Sequence, residues 1–176
     1  MIVSLSRTMV VVFATTAALA LPASAKTDDS SAPAAPAPAP TGGLIMADDG
    51  QAIAAFLRGA GYRAEVEMMS DGRPRVMSAA DGLNFSILLR DCTDGRACTN
   101  VQFHSAFTMQ TPPSVERLGE WNNRRIVGQA FMSDEGQPRL GHFVTMRGGL
   151  STEAFEDAFG FFREALTDFA VHIGFR

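Results

Sequence analysis

Cysteine and histidine are scarce in this chain, at two and three in 176 residues. The histidines, His104, His142 and His172, stand far apart, and no His-x-x-x-His or Cys/His cluster occurs. That spacing offers none of the usual zinc sites. Positive charge is also in short supply: 15 Lys and Arg oppose 19 Asp and Glu, for a net charge of −4. No basic stripe gathers in any window, so nothing marks an electrostatic footprint for nucleic acid or an anionic membrane surface. A Gly-x-Ser-x-Gly elbow is missing, as is a strand-to-helix phosphate loop. The acidic runs Asp48-Asp49 and Asp134-Glu135 lack calcium-loop spacing and read as a cap and a solvated turn. The nine methionines are scattered, as core filler is, rather than clustered for copper. These absences leave no cofactor and no metal to expect. The apolar run at residues 9–21 falls short of the roughly 20 residues needed to cross about 30 Å of hydrocarbon.

That short run is nevertheless informative. Arg7 precedes it, Pro22 ends it, and Ala23-Ser24-Ala25 places small residues where a signal peptidase cuts. The pattern is that of a secretory signal over residues 1–25, cleaved after Ala25, which implies a periplasmic protein without membrane insertion after cleavage. Residues 26–43, KTDDSSAPAAPAPAPTGG, alternate proline and alanine. Such a stretch cannot build a core or a ladder, and it reads as an extended, disordered spacer. The remaining residues, 44–176, are enough for one domain, and an apolar fraction of 46% supplies a core.

Within that domain the periodicity predicts three helices and six strands. A first helix spans about 49–60, capped by Asp48 or Asp49, with Ile53, Phe56, Leu57 and Ala60 on one face. Four strands follow at 62–69, 74–80, 83–91 and 98–109, with Asp71-Gly72 and Asp81-Gly82 as hairpin turns. Pro112-Pro113 stops the fourth, and Ser114 caps a helix to about Arg125. Strands at 127–133 and 139–147 flank a Gly136-Gln137-Pro138 turn. Ser151 then caps a last helix striped with Phe155, Phe159, Phe162, Leu166, Phe169 and Ile173. The order α-β-β-β-β-α-β-β-α, with short links, implies an α+β fold: an antiparallel sheet with packed helices.

Cys92 and Cys98 are close in sequence and even in number, so an oxidising compartment should join them. Five residues separate the thiols, unlike the redox-active Cys-x-x-Cys. The small ring is worth about 2.4 kcal/mol on a chain-entropy estimate. If the two cysteines face each other, residues whose numbers sum to 190 pair across the hairpin. Leu89 then meets Val101, Ile87 meets Phe103, Phe85 meets Ser105 and Leu83 meets Phe107. Seven of these eight are apolar and share one face, so the hydrophobic pattern supports the same register independently.

On the opposite face this register sets Ser86 against His104, a pairing with the elements of a nucleophile and its base. An orienting acid is missing: the neighbours are Met77, Leu88, Gln102 and Arg90, while Glu65 and Glu67 lie beyond the serine. An ordinary surface pair is the better reading, with a hydrolase as the alternative. His142 shares a strand face with Leu140, Val144 and Met146, and pairing about Gly136 would set it opposite Ala130, as a packed core histidine. The face opposite this core set shows Val127, Phe131 and Phe143, with Leu88 and Met77 nearby. A sheet apolar on both sides must be covered on both, either by one of the three helices or by a partner chain. If by a partner, Val127, Phe131, Phe143 and Leu88 form a docking or dimer surface.

Several motifs occur in a telling order: Gly61-Tyr62-x-Ala64, Asp71-Gly72-x-Pro74, Gly82-x-Asn84-Phe85-Ser86, Cys92…Cys98, Gln102-Phe103, Trp121-Asn122…Gly128-x-Ala130-Phe131, Gly136-x-Pro138 and Gly148-Gly149. With the Phe-rich closing helix, the set resembles the YbjN-like family, especially exported members with a cysteine pair, from about Ala47 onward. The resemblance implies a fold similar to type III secretion chaperones and a loosely described role in regulating sensory transduction. It brings no catalytic residues. Together with the absent chemistry and the two-sided apolar hairpin, it points to a non-catalytic module that acts through contacts with a protein partner, a homodimer included. Its fold similarity suggests, as an alternative, a chaperone or carrier for exported polypeptides. Relatives tend to place an Arg-Phe pair before the glycine that stands here at Gly128, whereas this chain has Ile126-Val127, with Arg125 one position earlier.

Overall fold

In the computed structural model the described residues are 43–176. The expected signal at 1–25 and all but the last residue of the expected linker at 26–43 lie outside them. No described helix is long and apolar enough to cross a membrane.

The domain is α+β, with three helices and a six-stranded antiparallel sheet. Its elements are β1 (Leu44–Ile45), α1 (Gly50–Gly59), β2 (Ala64–Met68), β3 (Pro74–Ala80), β4 (Leu83–Arg90), β5 (Asn100–Ala106), α2 (Val115–Arg124), β6 (Gln129–Met132), β7 (Pro138–Thr145), β8 (Leu150–Ser151) and α3 (Thr152–His172). All six expected strands and three helices are present. Two-residue β1 and β8, which pair with each other, were not expected, because two residues are too few to show a period.

The caps read from the sequence are made. Asp49, Ser114 and Ser151 accept from the backbone N–H groups of Ala52 at 2.8 Å, Arg117 at 3.3 Å and Ala154 at 3.2 Å. Each satisfies one orphan donor of a helix's first turn. Asp81 and Gly82 both take positive φ, 51° and 76°, and join Ala80 to its partner Leu83. That is the mirror-image turn whose twist suits a hairpin, and Asp-Gly adopts it most cheaply.

Between β4 and β5 a disulfide joins Cys92 and Cys98. It encloses a miniature turn in which Arg96 N–H donates to Thr93 O at 2.9 Å. The register behind it is the expected one: Leu89 pairs with Val101, Ile87 with Phe103 and Ser86 with His104. The ladder runs only from Ser86–His104 to Arg90–Asn100, so Phe85 and Leu83 lie beyond the paired stretch. Even so, all of the expected inward set, Ser105 included, is buried. Ser105 hydroxyl donates to Asn84 O at 2.8 Å, so this polar residue is paired where it is buried.

The strand order is β2-β3-β4-β5-β7-β6. β7, not β6, lies beside β5, and the short β6 becomes the edge. The β6–β7 hairpin is also shorter than expected. Ser133 N–H donates to Gln137 O at 2.9 Å, and Ala130 pairs with Leu140 rather than His142. The turn centres on Asp134-Glu135, one position before the expected glycine. This moves the register by two residues, so faces are kept and only partners change. His142 remains on the inner face, half-buried and stacked 6.3 Å from the Phe103 ring, which it pairs beside.

The core is the layer between the sheet and α3. Phe155, Phe159, Phe162, Leu166 and Phe169 are buried along its stripe. Phe162 meets Phe103 at 5.2 Å and Phe85 at 5.5 Å, while α1 joins through Phe56 on Phe155 at 5.1 Å. Each fully buried phenylalanine contributes about 1.5–3 kcal/mol by removal from water. α2 sits beside β6, with Trp121 against Phe169 at 5.1 Å.

Candidate functional site

With α1 and α3 on the inner face, no helix among the described residues covers the other face of the sheet. Two rows cross it. One runs Met77–Ser86–His104–Gly141, the other Arg75–Leu88–Gln102–Phe143. Phe143 is 53% exposed and Phe131 40%. Leu88 shares their face but is only 9% exposed, flanked by Arg75 and Gln102. Gln102 is held across the sheet by Arg90, whose guanidinium donates twice to its Oε1, at 2.9 and 2.7 Å. Gly141 makes room for this layer. A Cβ there would sit 2.7 Å from Gln102 Nε2 and 3.3 Å from a Phe131 ring carbon.

Val127 does not join this surface. It is half-buried and packs toward the core, beside Phe161 and Ala165 of α3. The expectation extended the strand alternation back through Gly128, which takes a φ of +80° and breaks it. A side chain at that glycine would press on Ala165 and Leu140, each at 3.1 Å, so the position is closed to other residues by space as well as by φ. The residue that takes the exposed place is Ile126, which is fully exposed. It was legible in sequence only as a departure from the family pattern.

Ser86 and His104 pair as expected, but not as a nucleophile and base. Ser86 is buried, and its hydroxyl donates to the backbone carbonyl of His104 at 3.4 Å. Burial, reinforced by the positive charges of Arg139 and Arg90, brings the His104 pKa down to about 4. The imidazole is therefore neutral at pH 7, and the charges that face it are guanidinium groups where a triad has a carboxylate. The His104 ring instead lies 6.2 Å from Phe131. His172 is elsewhere, at the end of α3, with its Nε2 2.8 Å from Arg117 O. Among the described residues no group of three or more His, Cys, Asp or Glu side chains comes together in a way that could hold a metal ion.

At the β6 edge lies a cleft of about 450 Å³, reached by Gln102, Asn122, Arg125, Ile126, Phe131 and Phe143 among its lining. Asn122 of α2 forms one wall and does something the sequence did not announce. Its amide accepts from Ala130 N–H at 2.8 Å and donates to Ala130 O at 2.9 Å. One side chain thereby satisfies both outward backbone groups of an edge strand, as a neighbouring strand would. Arg125 forms another wall. It is paired with Asp168 at 2.7 Å and stacked 5.1 Å from the Trp121 ring.

No curated protein and no solved structure matches this chain. The YbjN family, described as "Putative bacterial sensory transduction regulator", matches residues 49–175, and to that family the chain belongs.

Proposed function

We propose that the chain is an exported, non-catalytic binding or regulatory module that works in the periplasm through protein contacts. The observation that carries the reading is the pair Phe131 and Phe143, 40% and 53% exposed on the sheet face that no helix covers among the described residues. Fully exposed Ile126 lines the same cleft. Contiguous exposed apolar side chains rimmed by polar ones are typical of docking surfaces. The family's description as regulators supports the same reading. Export rests on the signal pattern of residues 1–25 and on the Cys92–Cys98 bridge, which an oxidising compartment preserves. A hydrolase centred on Ser86 has against it a neutral, arginine-flanked His104 and a hydroxyl committed to a backbone carbonyl.

The experiment is Phe131→Ser with Phe143→Ser, compared with wild type by mass in solution and by crosslinking in cells. Both side chains are exposed, so stability should change by about 0.5 kcal/mol or less, while association, with itself or with a partner, should disappear. If wild type and variant are both monomeric and crosslink identically, the surface is not a contact site. A Ser86→Ala variant that loses a measurable hydrolysis would favour the enzyme reading instead.

A further inference from the structure

The backbone of β7 leaves a lane open. Met146 N–H donates to Thr99 O at 3.0 Å and Phe107 N–H to Pro138 O at 3.1 Å, which fixes the phase of the β5–β7 ladder. Antiparallel hydrogen bonding alternates. Residues 140, 142 and 144 therefore point their N–H and C=O at β5, while 139, 141, 143 and 145 point away. On that far side β6 serves only part of the strand. Its first pair is Gln129 with Gly141. The positive φ of Gly128 then turns the preceding chain off the sheet. Among the described residues nothing runs beside residues 142–145 on that side. Phe143 lines the 450 Å³ cleft, and Thr145 lies two residues further along the same side of β7, with the same backbone orientation. One residue of β6 with the same orientation problem, Ala130, is closed by Asn122, and no described side chain plugs Phe143 or Thr145 in that way.

We infer that this stretch of β7 takes up an extended segment of another polypeptide, added as a further strand and carrying a carboxylate toward Arg125. The inference rests on the protein-contact reading above and names the class of partner. Only an extended backbone offers alternating donors and acceptors at strand spacing. Four residues at about 3.3 Å each span roughly 13 Å, room for four hydrogen bonds to Phe143 and Thr145. Side chains of the incoming segment would alternate, with one set lying over Phe131 and Phe143. Charge selects against a second copy of this strand. Arg125 is the one ionised side chain in the cleft lining, and its five donors are not exhausted by Asp168. The stretch His142-Phe143-Val144-Thr145 that a second copy would offer holds no carboxylate.

The test uses the protein as isolated, with a displayed library of random ten-residue peptides as the probe. Selection should enrich acidic, apolar-alternating peptides. A synthetic winner should lose roughly tenfold or more in affinity when every second amide is N-methylated, since that removes strand pairing and keeps the side chains. Phe143→Pro should lose roughly tenfold more than Phe143→Ser, because both remove the ring and only proline removes the outward N–H. Proline is tolerated at an edge position whose N–H bonds nothing, and circular dichroism checks the fold. In the free protein the Phe143 and Thr145 amides should exchange fast while His142 and Val144 exchange slowly, with the first pair slowed by peptide. Failure to enrich any peptide, or indifference to N-methylation, overturns strand addition. Equal effects of proline and serine overturn it too, yet leave the exposed phenylalanine face intact as a contact surface. Protection of Phe143 and Thr145 without peptide also overturns it. Protection that fades on dilution assigns the lane to a second copy, and protection independent of dilution assigns it to residues of this chain before Gly43.

Discussion

His104 illustrates how a single side chain records its surroundings. Its pKa near 4 lies below the ordinary 6.5 of an exposed imidazole, chiefly through burial and then through Arg139 and Arg90. The unfolded chain therefore binds a proton to this residue at a pH where the folded chain does not. Stability is unaffected above about pH 6.5 and falls as the pH drops from there toward 4. Partial burial displaces the pKa of the half-buried His142 ring in the same direction, which adds to the slope. Urea unfolding at pH 7 and pH 4.5 should show a lower midpoint in acid, and His104→Gln should flatten part of that difference. An NMR titration of the His104 ring should show its midpoint near pH 4. A midpoint at 6.5 would mean that the ring is solvated and that the face is arranged differently. Sequence alone placed His104 correctly opposite Ser86, because the cysteine spacing set the register. Its protonation state depended on two arginines brought up by other strands, Arg90 of β4 and Arg139 of β7.

At the level of elements, edges and turns carry the predictions. Asn122→Ala would leave Ala130 N–H and O without their partners at 2.8 and 2.9 Å. The site is partly exposed, so water replaces some of the loss, and about 1–2 kcal/mol of destabilisation is expected from denaturant midpoints. An uncapped edge strand also invites pairing between molecules, so light scattering should rise with concentration. Replacing both Cys92 and Cys98 by Ser should cost about 2.4 kcal/mol through the unfolded ensemble, with the β4–β5 register unchanged because its apolar pairs hold independently. Amide exchange across Ile87 and Phe103 would report a slipped register. Helix caps and the Asp81-Gly82 turn were legible because each rests on local chemistry within three or four residues. β1 and β8 were not legible, since Leu44–Ile45 and Leu150–Ser151 form a sheet only by meeting each other across the domain.

For the whole molecule the division between core and surface makes the sharpest contrast between neighbours in sequence. Phe162 is fully buried against Phe85 and Phe103, whereas Phe161 is 57% exposed. Phe162→Ala should cost about 3–5 kcal/mol, and Phe161→Ala about 0.5 kcal/mol or less, both read from urea unfolding. The sequence by itself determined the α+β class, the helix caps, the stapled hairpin with its register and the striped face of α3. All of these follow from periodicity and from contacts between near neighbours in the chain. Only the tertiary structure decided that β7 inserts between β5 and β6, that Val127 turns inward while Ile126 turns out, and that Asn122 closes the edge at Ala130. Those outcomes depend on which distant elements meet. A chain's local pattern limits that choice, but packing against α3 and the space around Gly128 make it.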